Sequence, residues 1–306
     1  MLHYTAGRLV QAVVAVFGVL TIVFIVMRFS GDPTYLLVPE GASQEAIDRL
    51  RTELGFDRPI LVQYADYLVN LFHLDFGVSI VQRIPATDIV ASRLPYTIWL
   101  ASGALFVSLV GGVPAGIAMA LWKGQWQERV LAAVVLTGQS MPTFLSGILL
   151  ILFFGVLLGW LPTSGAGDFQ SLILPAFALG ALSMATFARM ARVSVIDELG
   201  KDYVRAGRAR GLSKAANIAR HVLRNASIPV VTVAALEIGN LLAGAVIVET
   251  VFAWPGIGQL AIQSIQSRDF LVVQVIVLLI STVYVITGLL ADLIYAAIDP
   301  RIRLAQ

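Results

Sequence analysis

Few side chains in this sequence could do covalent chemistry, and their spacing argues against it. Cysteine is absent, which removes disulfides, thiolate metal sites and a Cys nucleophile together. The three histidines, His3, His73 and His221, lie far apart and share no metal-ligand spacing. No G-x-x-x-x-G-K-[ST] loop, no H-E-x-x-H and no T-V-G-Y-G filter occurs. Ser146 sits in an apolar run, Phe144-Leu145-Ser146-Gly147, but no histidine stands within such a run to serve as its base. What is left is the chemistry of recognition and passage. Glu237 interrupts an otherwise charge-free stretch, Ser227–Val248. A carboxylate in hydrocarbon costs several kcal/mol unless it pairs, neutralises or meets water. At helical spacing Glu237, Asn240 and Gly244 share one face, and Ala235, Gly239 and Ala243 form a neighbouring small face suited to close packing. Two uses stay open for that acid: lining an aqueous path, or a structural carboxylate hydrogen-bonded between helices. Pro114, Pro142, Pro175 and Pro229 also break apolar runs, each freeing a carbonyl one turn back. Gln139, Ser140 and Thr143 surround Pro142, so Gln139 and Ser140 join Glu237 and Asn240 as candidate pathway residues.

The elements that carry these residues are apolar spans. Hydrophobic residues make up 58% of the chain and charged ones 13%, about half the charge of a soluble domain. Mean hydropathy is +0.84. Leu9–Met27 is uncharged between Arg8 and Arg28, and at about 1.5 Å per residue it reaches roughly 28 Å, one hydrocarbon core. Further runs cover Thr97–Trp122, Val130–Leu161, Ser171–Ala188, Ser227–Val248 and Phe270–Ala291. None alternates with a period of two, so helices rather than barrel strands are expected, because helices satisfy their own backbone in lipid. The expected fold is an all-α membrane protein with about six transmembrane helices. The first run is longer than a signal-peptide core, and Phe29-Ser30-Gly31-Asp32-Pro33 is no A-x-A cleavage site, which favours a retained span over a leader.

Charge sets the expected orientation. Arg189–Arg224 carries nine basic side chains against Asp197, Glu198 and Asp202. Lys123 and Arg129 stand between spans two and three, and Arg301 and Arg303 close the chain. The positive-inside rule places these segments and both termini in the cytoplasm, and segment 29–95 outside. That outer segment reads as folded. Ser43 can cap a helix with Ile47, Leu50 and Leu54 on one face and Gly55 at its end, and Ile60–His73 forms a second amphipathic helix. It is either a docking surface or a solvated cap, and its length favours docking. In the 189–226 segment, a helix leaving span four is expected to end at Gly211, with Ser213 capping the next helix, Lys214 to Arg224. Ala206, Gly207 and Ala209 would let another protein's backbone approach closely. A basic anchor against anionic lipid is the plainer alternative, but it does not call for small residues and a capped turn.

This segment resembles the EAA loop of binding-protein-dependent ABC importer permeases in the dipeptide/oligopeptide/nickel group. The resemblance rests on Tyr203-Val204-Arg205-Ala206-Gly207-Arg208-Ala209-Arg210-Gly211-Leu212 followed by His221-Val222-Leu223-Arg224-Asn225-Ala226-Ser227-Ile228-Pro229. It extends over the chain through Gly31-Asp32-Pro33, Leu54-Gly55-Phe56-Asp57-Arg58-Pro59, Gln63-Tyr64, Asp75-Phe76-Gly77-Val78-Ser79, Leu161-Pro162-Thr163 and Leu174-Pro175. Glu249-Thr250-Val251-Phe252-Ala253-Trp254-Pro255-Gly256-Ile257-Gly258 looks like the first permease of such pairs, and Asp299-Pro300-Arg301-Ile302-Arg303 closes the chain as in the group. Gly207 departs from an alanine-type position, Arg205 stands where Glu is common and Arg224 where Pro is common, so a salt bridge from that Glu position is unavailable.

The resemblance implies a type I importer permease (MetI-like) fold, one permease domain over 1–306 with a long extracytoplasmic loop at 29–95 and a coupling loop at 189–226. It implies an ATP-driven importer of peptides or related solutes, working by alternating access in a bacterial or archaeal cytoplasmic membrane. The expected partners are a second permease, two ATPase subunits, an extracytoplasmic solute-binding protein and the lipid bilayer, with no nucleic acid. No cofactor is expected in this chain; ATP and Mg would sit in the ATPases, so the chain itself is not an enzyme. Tyr203, Arg205, Ala206, Gly207, Arg208, Ala209, Gly211 and Leu212 are the implied ATPase-coupling residues. Glu249, Trp254, Pro255 and Gly256 are the implied docking residues for the binding protein. The rival is a stand-alone ion-coupled secondary transporter, which would want clustered midplane ionisable groups in inverted halves. Glu237 alone, without an evident inverted repeat, speaks against it.

Overall fold

The computed structural model describes residues 2–29, 43–53, 55–73 and 75–298. Gly31-Asp32-Pro33, Leu54 and Asp299–Arg303, singled out above, lie outside the described residues. The elements are α1 (Leu2–Phe29), α2 (Gln44–Glu53), α3 (Ile60–Phe72), α4 (Ala86–Leu121), α5 (Trp126–Ser140), α6 (Thr143–Leu150, continued by a π-helical turn, Ile151–Leu157), α7 (Phe169–Leu199), α8 (Asp202–Ala209), α9 (Lys214–Asn217, continued by a π turn, Ile218–Val222), α10 (Leu223–Val251), α11 (Ile257–Gln266) and α12 (Phe270–Ile298).

By length and composition α4, α7, Lys214–Val251 and the stretch Phe270–Gly288 of α12 can each cross a membrane. The third expected span is not a single helix. Helices α5 and α6 meet at Met141–Pro142 with a bend of 103°, so they form one broken span or a re-entrant loop. Proline removes a backbone donor and clashes one turn back, which explains a break at this point. In α1 the described apolar stretch is Val13–Val26.

The chain forms two compact units, Met1–Leu94 with Leu260–Val283, and Pro95–Gln259 with Tyr284–Gln306. In the first, α2 begins as its sequence dictates: the Ala46 amide donates to Ser43 Oγ at 3.4 Å, and Gly55 takes φ +70°. Helix α3 packs against α1 through Tyr64 and Tyr67, whose rings meet Phe24 at 5.1 and 5.3 Å. Tyr64 also shares a 2.6 Å hydrogen bond with Thr21. Part of the 29–95 segment therefore lies beside the apolar run of α1. The Asp75–Ser79 turn is fastened to the start of α12 by a hydrogen bond from Ser79 to Asp269, both buried.

In the second unit α7 is the central helix, with α4, α5, α6 and α10 against it. Asp168 caps it: its carboxylate accepts from the Ser171 amide at 3.0 Å while Ser171 Oγ receives the Asp168 amide at 3.1 Å. These hydrogen bonds hold the Asp168 carboxyl below its ordinary range. Helices α4 and α7 touch through glycines. A Cβ at Gly112 would lie 2.5 Å from the Met184 carbonyl, and one at Gly180 would lie 2.7 Å from that of Ala104. Close backbone approach of this kind replaces the hydrophobic drive that helix association lacks in lipid.

Candidate functional site

The mid-span acid has neighbours from two helices. Glu237 stands at the middle of α10 and Ser183 near the middle of α7. Ser183 Oγ donates to Glu237 Oε2 at 2.6 Å, and Asn240 Nδ2 donates to Oε1 at a long 3.4 Å. Ser183 is buried, Glu237 half-buried and Asn240 exposed. Gly244, on the same face, approaches Leu179 of α7. Gly239 on the adjacent small face lies against Thr287 and Tyr284 of α12, so close packing there follows the sequence expectation. Gln139 is half-buried and Ser140 exposed at the end of α5, and the Ser140 hydroxyl is spent on the Leu136 carbonyl at 3.0 Å. No hydrogen bond joins either of them to Glu237 or Asn240 among the described residues.

At the far end of α10 most of the implied docking residues are interior. Glu249 and Trp254 are wholly buried and Gly256 is buried too, so in this conformation they cannot meet a docking partner directly. They build a sealed turn instead. Thr97 Oγ1 donates to Glu249 Oε1 at 2.7 Å and accepts the Ile257 amide at 2.9 Å. Glu249 Oε2 accepts the amides of Gly258 at 2.7 Å and Gln259 at 3.0 Å. These amides open α11, so the carboxylate occupies the position where a helix presents unpaired donors and its positive dipole end. A side chain at Gly256 would collide with the Glu249 carboxylate, and a Cβ at Gly258 would lie 2.6 Å from Val246 Cα. Trp254 Nε1 donates to the Tyr96 carbonyl at 2.9 Å, and its ring meets Trp99 at 5.5 Å. On this turn Ala253 is exposed and Pro255 half-exposed.

The basic loop folds on itself. Helix α7 stops at Leu199, not at Gly211; Gly200 and Lys201 separate it from α8, which starts anew at Asp202. Gly211 does take the left-handed conformation, at φ +83°, and Ser213 Oγ accepts the Ala216 amide at 3.3 Å. The helix begun at Lys214 runs on through the π turn into α10 rather than ending at Arg224. Gly207 is buried against Asn217: a Cβ there would lie 2.8 Å from Asn217 Oδ1. Asn217 is itself 1% exposed and donates to the Val204 carbonyl at 2.7 Å. The smallness of Gly207 thus serves the loop's own packing. Arg205, Ala206, Arg208 and Ala209 face outward, Gly211 is exposed, and Tyr203 and Leu212 are half-buried. The Tyr203 hydroxyl bonds Glu198 and accepts from Asn225 Nδ2 at 3.0 Å. Burial, with Glu198 beside it, pushes that phenol up from its ordinary value.

Sequence reasoning missed Thr97, Ser183, Asn217 and Gly258. Only Gly258 carried a signal, as the second glycine of Pro255-Gly256-Ile257-Gly258. The described residues contain no group of three or more His, Cys, Asp or Glu side chains placed to hold a metal.

Comparison with known proteins gives the family. Residues 112–304 match the family described as binding-protein-dependent transport system inner membrane component. Residues 1–101 match the N-terminal family of binding-protein-dependent transport system membrane components. The glutathione transport system permease protein GsiC of Escherichia coli (strain K12) is 41% identical over 304 residues, covering 99% of each chain. GsiC of Shigella dysenteriae serotype 1 is equally similar, at 41% over 99% of each chain. Among solved structures, two inward-facing crystal forms of the MetNI methionine ABC transporter contain a chain of the same fold. Their TM-scores are 0.52 and 0.54 at 20% and 21% identity, covering 72% and 71% of this chain and 97% and 96% of theirs.

Proposed function

The chain belongs to the binding-protein-dependent transport system inner membrane components and is a permease subunit of an ABC importer, and on that premise we propose that it imports a peptide-type solute as one half of a permease pair. It is a transport subunit and not an enzyme. The glutathione assignment of the relatives points to a small peptide or a related compound as cargo. An extracytoplasmic binding protein delivers the solute near the 249–259 turn, with Ala253 and Pro255 as the outward parts of that turn and the buried Glu249, Trp254 and Gly256 holding its shape. Residues 1–306 work as one permease domain, both termini in the cytoplasm of a bacterial or archaeal cell and the 29–95 segment outside. Glu237 and Asn240, with Gln139 and Ser140 of α5, line the path.

Coupling runs through loop 189–226. Its outward Arg205, Ala206, Arg208 and Ala209 enter a cleft on an ATPase subunit, while Gly207, Gly211 and Leu212 keep the loop in shape and Tyr203 ties it to Glu198. Two such ATPases bind ATP and Mg; their closure carries the loops with it, and the permease pair opens outward. Hydrolysis resets the pair. The observation that supports this reading is the closure of the loop on itself through Gly207 and Asn217, which holds a small, basic helix face toward the outside. Ala206 is exposed, so a large side chain there would obstruct such a cleft. Reconstituted with its partners, Ala206→Trp is expected to stay in the membrane and lose ATP hydrolysis stimulated by loaded binding protein. Full stimulated hydrolysis in that variant would leave the loop as a lipid-facing anchor. Reporters after Gln306 and in the 207–213 turn should read cytoplasm, and one at Gly41 the opposite side.

A further inference from the structure

Glu237 lacks what a carboxylate at mid-span needs. An ionised carboxylate offers about four acceptor positions. Here one good hydrogen bond, from Ser183, and one long one, from Asn240, are made. Among the described residues no cationic side chain pairs with it. Its position at the centre of α10, opposite the centre of α7, is where an unpaired charge is most expensive. Yet it is half-exposed, and its neighbour Asn240 is exposed, so the unfilled acceptor positions are open to whatever passes along that face. A primary ammonium carries three N–H donors and the opposite charge, which answers both deficits at once.

We infer that Glu237 receives the ammonium end of the solute as it crosses, and that it selects against solutes in which that end is blocked or absent. This rests on the pathway reading of α10 given above. Ser183 is a positioning residue: buried and bonded to Oε2, it holds that oxygen and leaves Oε1 turned toward Asn240 and the open side. The attraction is brief by design, because a carboxylate with only neutral neighbours binds a cation without trapping it between fixed charges.

The chain has no cysteine, so Asn240→Cys supplies its single thiol. The assembled complex carrying that change is treated with two water-soluble methanethiosulfonates, one bearing a primary ammonium (2-aminoethyl) group and one a sulfonate. The expected result is labelling by both, with the cationic reagent favoured about tenfold beyond its preference for a free thiol in solution. Adding Glu237→Gln should bring the ratio back to the free-thiol value. If neither reagent labels the Asn240→Cys protein in any nucleotide state, the face is dry, and the pathway reading falls together with this inference. If both label but Glu237→Gln leaves the ratio unchanged, the pathway stands and the ammonium assignment is overturned. Should Glu237→Gln not assemble, the ratio at Asn240→Cys is compared with that at Thr250→Cys, an exposed position on the same helix about 15 Å further along. An excess for Asn240→Cys supports the inference, and equal ratios overturn it.

Discussion

Helix α10 carries two carboxylates in opposite circumstances. Glu249 is completely buried, and a hydroxyl and two backbone amides meet its oxygens at 2.7–3.0 Å. Glu237 is half-exposed and holds one short and one long hydrogen bond. Both cost desolvation. The difference lies in whether the chain itself supplies the partners. Glu249 is closed by Thr97 and the start of α11; Glu237 is left open toward one side. The same division runs through loop 189–226, where Gly207 is closed against Asn217 and Ala206 is left outward.

The comparison breaks most readily at Glu249. Glu249→Ala strands the Thr97 hydroxyl and the Gly258 and Gln259 amides, each at about 1–3 kcal/mol when buried without a partner. The expected outcome is loss of folded, extractable protein, read by fluorescence size-exclusion chromatography in detergent. Glu249→Gln keeps the shape and one acceptor but turns an NH2 toward donors, so it should lower the melting temperature without abolishing folding. A Glu249→Ala protein as stable as the parent would mean that the turn is held by Trp254 and not by the acid.

Gly207 comes next. Gly207→Ala drives a methyl group into Asn217, which is fixed by its bond to the Val204 carbonyl, and overpacking of this kind costs about 1–3 kcal/mol. The melting temperature should fall, and a paired Asn217→Ala change should recover part of the loss by making room. Ala206→Ser, at the adjacent but outward position, should leave the melting temperature unchanged. Equal losses at 206 and 207 would erase the distinction between closed and open positions in this loop.

Much of this was legible where the cause is local. The left-handed Gly211, the Ser213 and Ser43 caps and the small face at Gly239 depend on residues within a few positions, and the sequence shows them. What the sequence hides is contact at long separation. Nothing near Glu249 announces Thr97, which comes from α4, so the acid reads as a surface residue of a docking motif when it is an interior clasp. Gly207 reads as a concession to a partner because Asn217 is ten residues away, across a turn. Pro142 announces a break, but the 103° bend also depends on how α5 and α6 settle separately against α7. The apolar spans were visible as spans because their lipid-facing composition needs no partner to interpret it.

Glu237 should be nearly silent in stability. Glu237→Gln keeps an acceptor for Ser183, gives up the long bond from Asn240 and removes a mid-span charge; the last two changes oppose each other. The melting temperature of the complex is expected to stay equal or rise slightly, while the transport of solutes with a free ammonium falls. A large drop in stability would move Glu237 into the company of Glu249.

The smallest effect belongs to Arg205, which tests the open end of the comparison. Its guanidinium lies 3.4 Å from Asp202, with the two side chains 75% and 97% exposed, and 3.3 Å from the Gly200 carbonyl. An ion pair so exposed contributes about 0–1 kcal/mol, because water solvates both partners nearly as well apart and salt screens what remains. Removing it should therefore leave folding untouched. In the proposed coupling its influence is limited in the same way: Arg205 would reach an ATPase from a flexible stem at the rim of the contact, whereas a side chain at Ala206 would stand between the two backbones. Arg205→Ala is expected to change stimulated ATP hydrolysis by less than about fivefold, the factor that 1 kcal/mol represents, and the change should shrink as salt is raised. A loss as complete as that of Ala206→Trp, persisting in high salt, would show that Arg205 is buried against its partner and paired there, and the loop's outward face would then have to be counted as closed in the assembled transporter.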